Sequence, residues 1–89
     1  MYQGPGIYRH YKGGHYRALG IAEHETTGER FVIYHSYNIE RDLDRSADGV
    51  DYIARPLDHN DGPDPWNQTV IIRGAKGDDP PISRFQRIR

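Results

Sequence analysis

Side chains able to hold an anion are concentrated in one short segment near the start of the chain. Residues 8–17 contain three tyrosines, two histidines, two arginines and a lysine around the pair Gly13-Gly14. Arginine forks bind phosphates and carboxylates in a bidentate manner, aromatic rings offer flat faces, and the N–H groups of a glycine loop can form an anion nest. A site for a nucleotide or another phosphate-bearing ligand requires groups of these kinds.

Arg55 is a further candidate, because the proline that follows it restricts its backbone to extended geometry. A side chain on such a backbone can hold a ligand, and it can equally make a structural salt bridge to Glu23 or Glu29. Two interpretations are also open for the tyrosines, which a chain short of Leu and Val needs as core, and for His10 and His24, which can hydrogen-bond across strands. The predicted ligand-binding residues are Tyr8, Arg9, His10, Lys12, Tyr16, Arg17, His24 and Arg55.

Recognisable catalytic and metal-binding motifs are absent from the sequence. The five histidines lack the His-x-His or His-x-x-x-His spacing of a metal site, and there is no cysteine. The acidic run that begins at Asp42 lacks the glycine and the closing glutamate of a calcium loop. No serine lies in a Gly-x-Ser-x-Gly elbow. We therefore predict no metal, no cofactor and no catalytic residue, with a small hydrolase that uses His10 or His24 as the enzymatic alternative.

The elements that must position these side chains are short strands joined by glycine turns. Residues 7–11 are rich in strand formers, and Gly13-Gly14 predicts a tight hairpin to the next run, residues 15–24. Gly20, in the middle of that run, indicates a bulge or a bend. After a turn, residues 29–37 form the most strand-like run of the protein.

The second half of the chain has weaker patterns. Residues 38–51 are polar and predict an insertion loop, and residues 52–54 predict a short strand that Pro56 ends or places at a sheet edge. Residues 66–73 alternate in polarity, which predicts a strand, and Phe85 anchors a last short strand. Five or six short strands without a helix predict a mostly β fold, a small antiparallel barrel or roll with long loops.

Composition limits the chain to one small domain over residues 1–89. Only 17 of the 89 residues are Ile, Val, Leu or Phe, so seven tyrosines and one tryptophan must supply much of the apolar area. Neither a secretory signal nor an apolar run of the ~20 residues that a membrane span needs is visible. Because cysteine is also absent, we expect a cytoplasmic protein, in a bacterial cell or a phage-infected host.

Charge is balanced in total, at −1, but not along the chain. Residues 1–22 carry three basic side chains and no acid, whereas residues 40–64 carry eight acids against three arginines, and the tail is basic again. This order predicts a dipolar surface with one face that attracts anions. The alternative is an ordinary solvated surface on which some of these charges pair.

Several short motifs carry a family resemblance. The run from Gly6 to Tyr16 is distinctive in its order of Tyr, His, Lys and Gly, and the pattern continues in Ala22-Glu23-His24, Thr27-Gly28-Glu29, Val32-Ile33-Tyr34, Arg55-Pro56-Leu57 and Arg84-Phe85. In these residues the chain resembles a small bacterial and phage family, domain of unknown function 1653. The resemblance implies an SH3-like barrel and no established activity. Two features depart from the family pattern: the stretched segment 38–51, and Asp58-His59-Asn60 where bulky apolar residues are usual.

From these observations we predict a non-catalytic binding module that captures a small anionic ligand, nucleotide-like or signalling. In its most specific form the protein is a phage sponge that removes a bacterial defence signal. The alternative is an SH3-like adaptor for nucleic acid or protein, although a net charge of −1 argues against duplex DNA. No membrane partner is expected. The thin core and open strand edges predict a homo-oligomer, with Trp66 buried between chains.

Overall fold

In the computed structural model the chain is folded almost entirely as short antiparallel strands, so the mostly β fold predicted from the sequence is confirmed. The structure describes residues 1–45, 49–71, 73–74, 77–78 and 80–89. Its strands are β1 (Gly6–His10), β2 (His15–Glu23), β3 (Arg30–Asn38), β4 (Leu43–Arg45), β5 (Ile53–Pro56), β6 (Thr69–Val70), β7 (Arg73–Gly74), β8 (Gly77–Asp78), β9 (Ile82–Ser83) and β10 (Phe85–Arg87), with one 3-10 turn at His59–Asp61.

The main sheet has the order β10-β1-β2-β3-β4, and β5 pairs with β3 as well. One edge of β3 is therefore divided, since its residues 36–38 pair with β4 and its residues 31–34 pair with β5. Two small ladders, β6–β9 and β7–β8, lie outside the main sheet. Within the described residues no ladder joins β10 to β4 or β5, so the sheet is an open roll and not a closed barrel.

The predicted hairpin and bulge of β2 are both confirmed. Gly13, at φ 107°, turns the chain between β1 and β2, and His10 closes the turn by hydrogen bonds to Gly14 and Gly13 at 2.7 and 2.8 Å. A positive φ of this kind is readily adopted only by glycine. The register of β2 against β3 shifts between Ala18 and Gly20. A bulge there bends the long strand and lets the sheet curve around its core.

The core is built mainly from aromatic rings. The ring of Trp66, 1% exposed, stacks on Phe85 with 3.7 Å between centroids. It also makes T-shaped contacts with Tyr8 and Tyr34, at centroid distances of 5.0 and 5.2 Å. Each large ring removes roughly 150–250 Å² from water, so a few of them replace the missing aliphatic side chains. Smaller residues complete this cluster, namely Ala18, Val32 and Leu57.

A buried carboxylate fastens the loop after β5 to the start of β3. Asp61, 8% exposed, accepts hydrogen bonds from the backbone N–H groups of Arg30 at 2.9 Å and Asp58 at 3.1 Å. The hydrogen bond from Arg30 is the main reason why the pKa of Asp61 is lowered from its ordinary value of 3.8. This loop carries Asp64 and Pro65, so its anchorage sets the position of the site described below.

Two local predictions differ from the structure. The segment 38–51 is not only a loop, because Leu43–Arg45 forms β4 against the end of β3; residues 46–48 lie outside the described part of the chain. Residues 66–73 do not form one strand, since among the described residues of this run only Thr69–Val70 and the first residue of Arg73–Gly74 are in strands. Residue 72 lies outside the described part of the chain. In both cases pairing with another strand, and not the strand propensity of the segment itself, decides the outcome.

The prediction that Trp66 lies between chains is wrong. The indole is already 1% exposed within a single chain, because Phe85, Tyr8 and Tyr34 surround it. A ring enclosed in this way has no surface left to offer to a partner. In the described part of the chain, no helix has the length and apolar character needed to cross a membrane.

Candidate anion-binding site

Two arginines from distant parts of the sequence line one shallow groove. Arg55 belongs to β5, and Arg84 lies between β9 and β10. We call this concavity, with a volume of about 270 Å³, the arginine groove. The other residues that line it are Tyr34, Ile53, Ala54, Pro56, Pro63 and Asp64.

Arg55 is held in the groove by neutral acceptors. Its Nε lies 3.4 Å from the hydroxyl of Tyr34, to which it donates, and its Nη1 donates to the carbonyl of Asp64 at 3.0 Å. The guanidinium carbon lies 5.2 Å from the centre of the Phe85 ring. These three partners are uncharged, so none of them neutralises the positive charge of the guanidinium. The guanidinium carries five N–H donors, and these contacts do not use all of them.

Arg84 is the more buried of the two cations, with 13% of its side chain exposed. Its Nη2 donates to Oε1 of Gln68, and its backbone is fixed by hydrogen bonds to the carbonyl of Gln68 at 2.7 Å and from the N–H of Tyr11 at 2.9 Å. The Nε of Arg84 is buried without a hydrogen-bond partner in the described residues. Leaving a buried N–H without a hydrogen bond costs ~1–3 kcal/mol, so a ligand atom that accepted a hydrogen bond from this Nε would bind more favourably.

Asp64 lies at the rim of the arginine groove and contacts both cations. Its carbonyl accepts from Arg55, and its carboxylate oxygen lies 3.7 Å from Nη2 of Arg84. Asp64 lies between two prolines and adopts φ 51°, a left-handed conformation that aspartate tolerates better than most residues. Because 79% of its side chain is exposed, its carboxylate is only weakly held, and an anion that entered the groove would compete with it.

His10 lies beside the two arginines. Its ring packs 4.9 Å from Phe85 and 4.6 Å from Tyr11, and its Nδ1 accepts the N–H of Lys12 at 3.2 Å. Burial lowers the pKa of His10 from its ordinary value of 6.5, and the positive charges of Arg55, Arg84 and Lys12 lower it further. The same three cations that disfavour a proton on His10 would favour an anion next to it.

The sequence model of the family described as "Protein of unknown function (DUF1653)" matches residues 6–87. The chain belongs to this family. A crystal structure of a DUF1653 protein from Bordetella bronchiseptica is 36% identical to it, covers 97% of this chain and 87% of that one, and has a TM-score of 0.60. A comparison with curated proteins gives no match.

Two of the predicted ligand-binding tyrosines belong to the core of this DUF1653 domain. Tyr8 is completely buried, and its hydroxyl donates to the carbonyl of Gly4 at 2.7 Å and accepts the N–H of Gln3 at 2.8 Å. Tyr16, half-buried, packs edge-on against Tyr34 at 5.4 Å and Phe85 at 5.9 Å. We therefore leave both out of the candidate site, in line with the core interpretation of the tyrosines.

Two further candidates lie away from the arginine groove. Arg17 is on the opposite face of the sheet, where its Nε lies 2.7 Å from a carboxylate oxygen of Asp44. His24 follows β2 at the far end from the hairpin and accepts two backbone N–H groups of its own turn, Thr26 and Thr27, each at 3.2 Å. His24 is therefore a turn-forming residue, and it cannot pair with His10, which lies beside the first residue of β2.

The remaining candidates of the DUF1653 chain surround His10. Lys12 is exposed in the hairpin, with its ammonium group 5.7 Å from the centre of the Tyr11 ring. Arg9 is exposed on β1 and lines a neighbouring groove together with His10. The structure thus brings Arg9, His10, Lys12 and Arg55 to one region and excludes Tyr8, Tyr16, Arg17 and His24 from it. The predicted bridge from Arg55 to Glu23 or Glu29 is not among the ion pairs of the described residues.

Arg84 was not among the site residues predicted from the sequence. Its signals were the basic tail and the Arg84-Phe85 pair of the family pattern, but neither indicates that the side chain meets Arg55. Among the described residues, no group of three or more His, Asp or Glu side chains comes close enough to hold a metal ion.

Proposed function

We propose that this protein is a non-catalytic binding module that captures a small anionic ligand, nucleotide-like or signalling. The observation that supports it best is the meeting of Arg55 and Arg84 in one groove, where mainly neutral oxygens hold them. Their charges remain available to a ligand. Hydrogen bonds between charged partners contribute ~1.5–3 kcal/mol each, enough for useful affinity from two arginines.

A more specific version of the proposal is the capture of a bacterial defence signal during phage infection. Such a role requires binding without turnover, in the cytoplasm where nucleotide signals are made. It is supported by a site that offers cations and hydrogen-bond donors and in which no pair of acid–base residues has been identified. The hydrolase alternative loses its best pair, because His10 ends β1 at the hairpin whereas His24 follows the far end of β2.

The adaptor alternative is weakened by the position of the aromatic rings. Tyr8 is completely buried, and Tyr16 is half-buried with its ring edge-on to Tyr34 and Phe85, so neither of these two predicted residues presents a fully exposed ring for stacking with single-stranded bases. A salt-dependent gel shift with single-stranded oligonucleotides tests this alternative directly. Binding by the isolated chain that weakens steeply with salt would revive it.

Binding of anions is tested by calorimetric titration and thermal shift with sulfate, inorganic phosphate, and mono-, di- and cyclic nucleotides. At least one member of the panel is expected to raise the melting temperature and to bind measurably. The substitutions Arg55→Gln and Arg84→Gln are each expected to weaken that binding about ten- to hundredfold, because each removes charged hydrogen bonds.

The matched control is Arg41→Gln, which removes the same charge from an exposed position outside the groove. It should leave affinity within about twofold. The fluorescence of the single tryptophan, Trp66, reports whether each variant is folded. No shift with any ligand of the panel, or an equal loss in Arg41→Gln, would contradict the proposal.

We also propose that the chain self-associates. The support is the pair of open sheet edges at β10 and β4 and the partly exposed apolar side chains of Leu19 and Ile21 on β2. Light scattering at micromolar concentration should give a mass above the 10.3 kDa of one chain. A mass of one chain throughout the concentration range would exclude it.

A further inference from the structure

A second groove, with a volume of about 400 Å³, lies next to the arginine groove. The two concavities are separated by the junction between β9 and β10, since Ser83 lines the larger one and the next residue, Arg84, lines the smaller one. We call the larger concavity the outer groove. The residues that line it are Arg9, His10, Tyr11, Ile82, Ser83 and Gln86.

The lining of the outer groove combines flat or apolar surface with hydrogen-bonding groups. The ring of Tyr11 is half-buried, and the side chain of Ile82 is 40% exposed. The amide of Gln86 offers one acceptor and two donors, and Ser83 adds a hydroxyl. A nucleobase is recognised by this combination: apolar or aromatic side chains contact its faces, and a glutamine amide can pair with its edge.

The two grooves are held together by direct contacts. The N–H of Tyr11 donates to the carbonyl of Arg84 at 2.9 Å, which ties a residue of the outer groove to a cation of the arginine groove. His10 lines the outer groove, and its ring packs 4.9 Å from Phe85, the same ring that has the guanidinium of Arg55 at 5.2 Å. His10 and Arg55 thus contact the same ring, which places the outer groove next to the arginine groove.

We infer that the outer groove is a nucleobase subsite and that the ligand of this protein is a nucleoside phosphate. This inference rests on the proposed function, because it assigns the phosphate to Arg55 and Arg84. The base lies in the outer groove against Tyr11 and Ile82, with its edge toward Gln86. The sugar then crosses His10, which links the two grooves.

Titrations with three kinds of probe separate the contribution of the base from that of the phosphate. Inorganic phosphate, ribose 5-phosphate and the four common nucleoside monophosphates are compared under the same conditions. At least one nucleoside monophosphate is expected to bind ten times more tightly than ribose 5-phosphate. The substitution Gln86→Ala should reduce this advantage about three- to tenfold and leave the affinity for phosphate unchanged. Ile82→Ser should have a similar selective effect.

Matched controls exist for both substitutions. Gln3→Ala changes an exposed glutamine, and Ile88→Ser changes an isoleucine of similar exposure, 44%, away from the outer groove. Neither should affect nucleotide binding. If ribose 5-phosphate binds as tightly as every nucleoside monophosphate, or if Gln86→Ala and Ile82→Ser change nothing, the base subsite is refuted while anion binding stands. If no probe binds at all, the proposed function fails with it.

Discussion

Arginines on the two faces of the main sheet have different kinds of partner. On the face that carries Arg17, two guanidiniums meet carboxylates: Arg17 lies 2.7 Å from Asp44, and Arg89 lies 3.3 Å from Asp42. On the other face Arg55 is held by a phenol hydroxyl and a backbone carbonyl. The charges of Arg17 and Arg89 are neutralised, whereas the partners of Arg55 leave its charge available.

The difference arises from what each segment brings to the sheet. Pairing of β4 with the end of β3 carries the acidic residues Asp42 and Asp44 across the first face. This outcome agrees with the paired-charge interpretation of the sequence and not with a simple dipole. Among the described residues that line the arginine groove, Asp64 is the acidic one, and its carboxylate lies 3.7 Å from Arg84. A basic side chain therefore predicts an anion-binding site only when the folded structure shows whether a carboxylate already pairs with it.

The largest expected effect concerns the rings beneath the arginine groove. Trp66→Ala is expected to lower the free energy of unfolding by ~3–5 kcal/mol, because it leaves a cavity against Phe85 and Tyr8. Urea denaturation followed by circular dichroism measures it. Tyr52→Ala, at a ring that is 61% exposed, is the matched control and should cost less than about 1 kcal/mol. Equal costs for the two variants would refute the aromatic core.

Anion binding should depend on pH through His10. Its lowered pKa means that it is neutral at pH 7 and gains a proton as the pH falls through that lowered value. Protonation adds a third cation beside Arg55 and Arg84, so sulfate, whose charge is constant over this range, should bind about three- to tenfold more tightly below that lowered pKa than near pH 8. His10→Gln should remove this increase. A pH-independent affinity in the parent protein would show that His10 does not face the anion.

Folding stability should change with pH in the opposite sense. Between the ordinary value of 6.5 and the lowered pKa, the unfolded chain binds the His10 proton and the folded chain does not. The contribution of His10 to the stability of the ligand-free protein therefore decreases as the pH falls through this window, and this contribution changes no further below the folded pKa. Saturating sulfate should reduce this loss. Chemical denaturation of the parent and His10→Gln at several pH values isolates the contribution.

Removal of the competing carboxylate should strengthen binding. Asp64→Asn keeps the size of the side chain and a residue type that tolerates the left-handed φ of 51°. An exposed ion pair contributes ~0.2–1 kcal/mol, so the affinity for sulfate should rise about two- to fivefold. Asp58→Asn, in the same loop but outside the lining, provides the comparison. A decrease in affinity on Asp64→Asn would mean that Asp64 supports the site.

The smallest effect is expected on the neutralised face. Arg17→Gln breaks an exposed ion pair with Asp44 and should lower stability by ~0–1 kcal/mol. Because that guanidinium already has its carboxylate, sulfate affinity should stay within about twofold of the parent. A loss comparable to that of Arg84→Gln would place an anion on both faces and end the contrast between them.

The sequence was informative where structure depends on nearby residues. The hairpin at Gly13-Gly14 and the bulge at Gly20 need only the conformational freedom of glycine, and both were predicted. Strand β4 was missed, because Leu43–Arg45 has little strand propensity of its own and is ordered by pairing with β3. Four of the eight predicted site residues lie in one region of the structure. Arg84, which lines the arginine groove together with Arg55, was not predicted.

The sequence alone determined that the protein is mostly β, that its core must use aromatic rings, and that its opening segment is that of the DUF1653 family. These properties follow from composition and from turns a few residues long. The tertiary structure decided which rings are buried and which arginines keep their charge. Arg55 and Arg84 are separated by 28 intervening residues, and they meet only because β5 pairs with β3 while β10 pairs with β1. No local pattern encodes such a meeting, because it depends on the summed packing of the whole sheet.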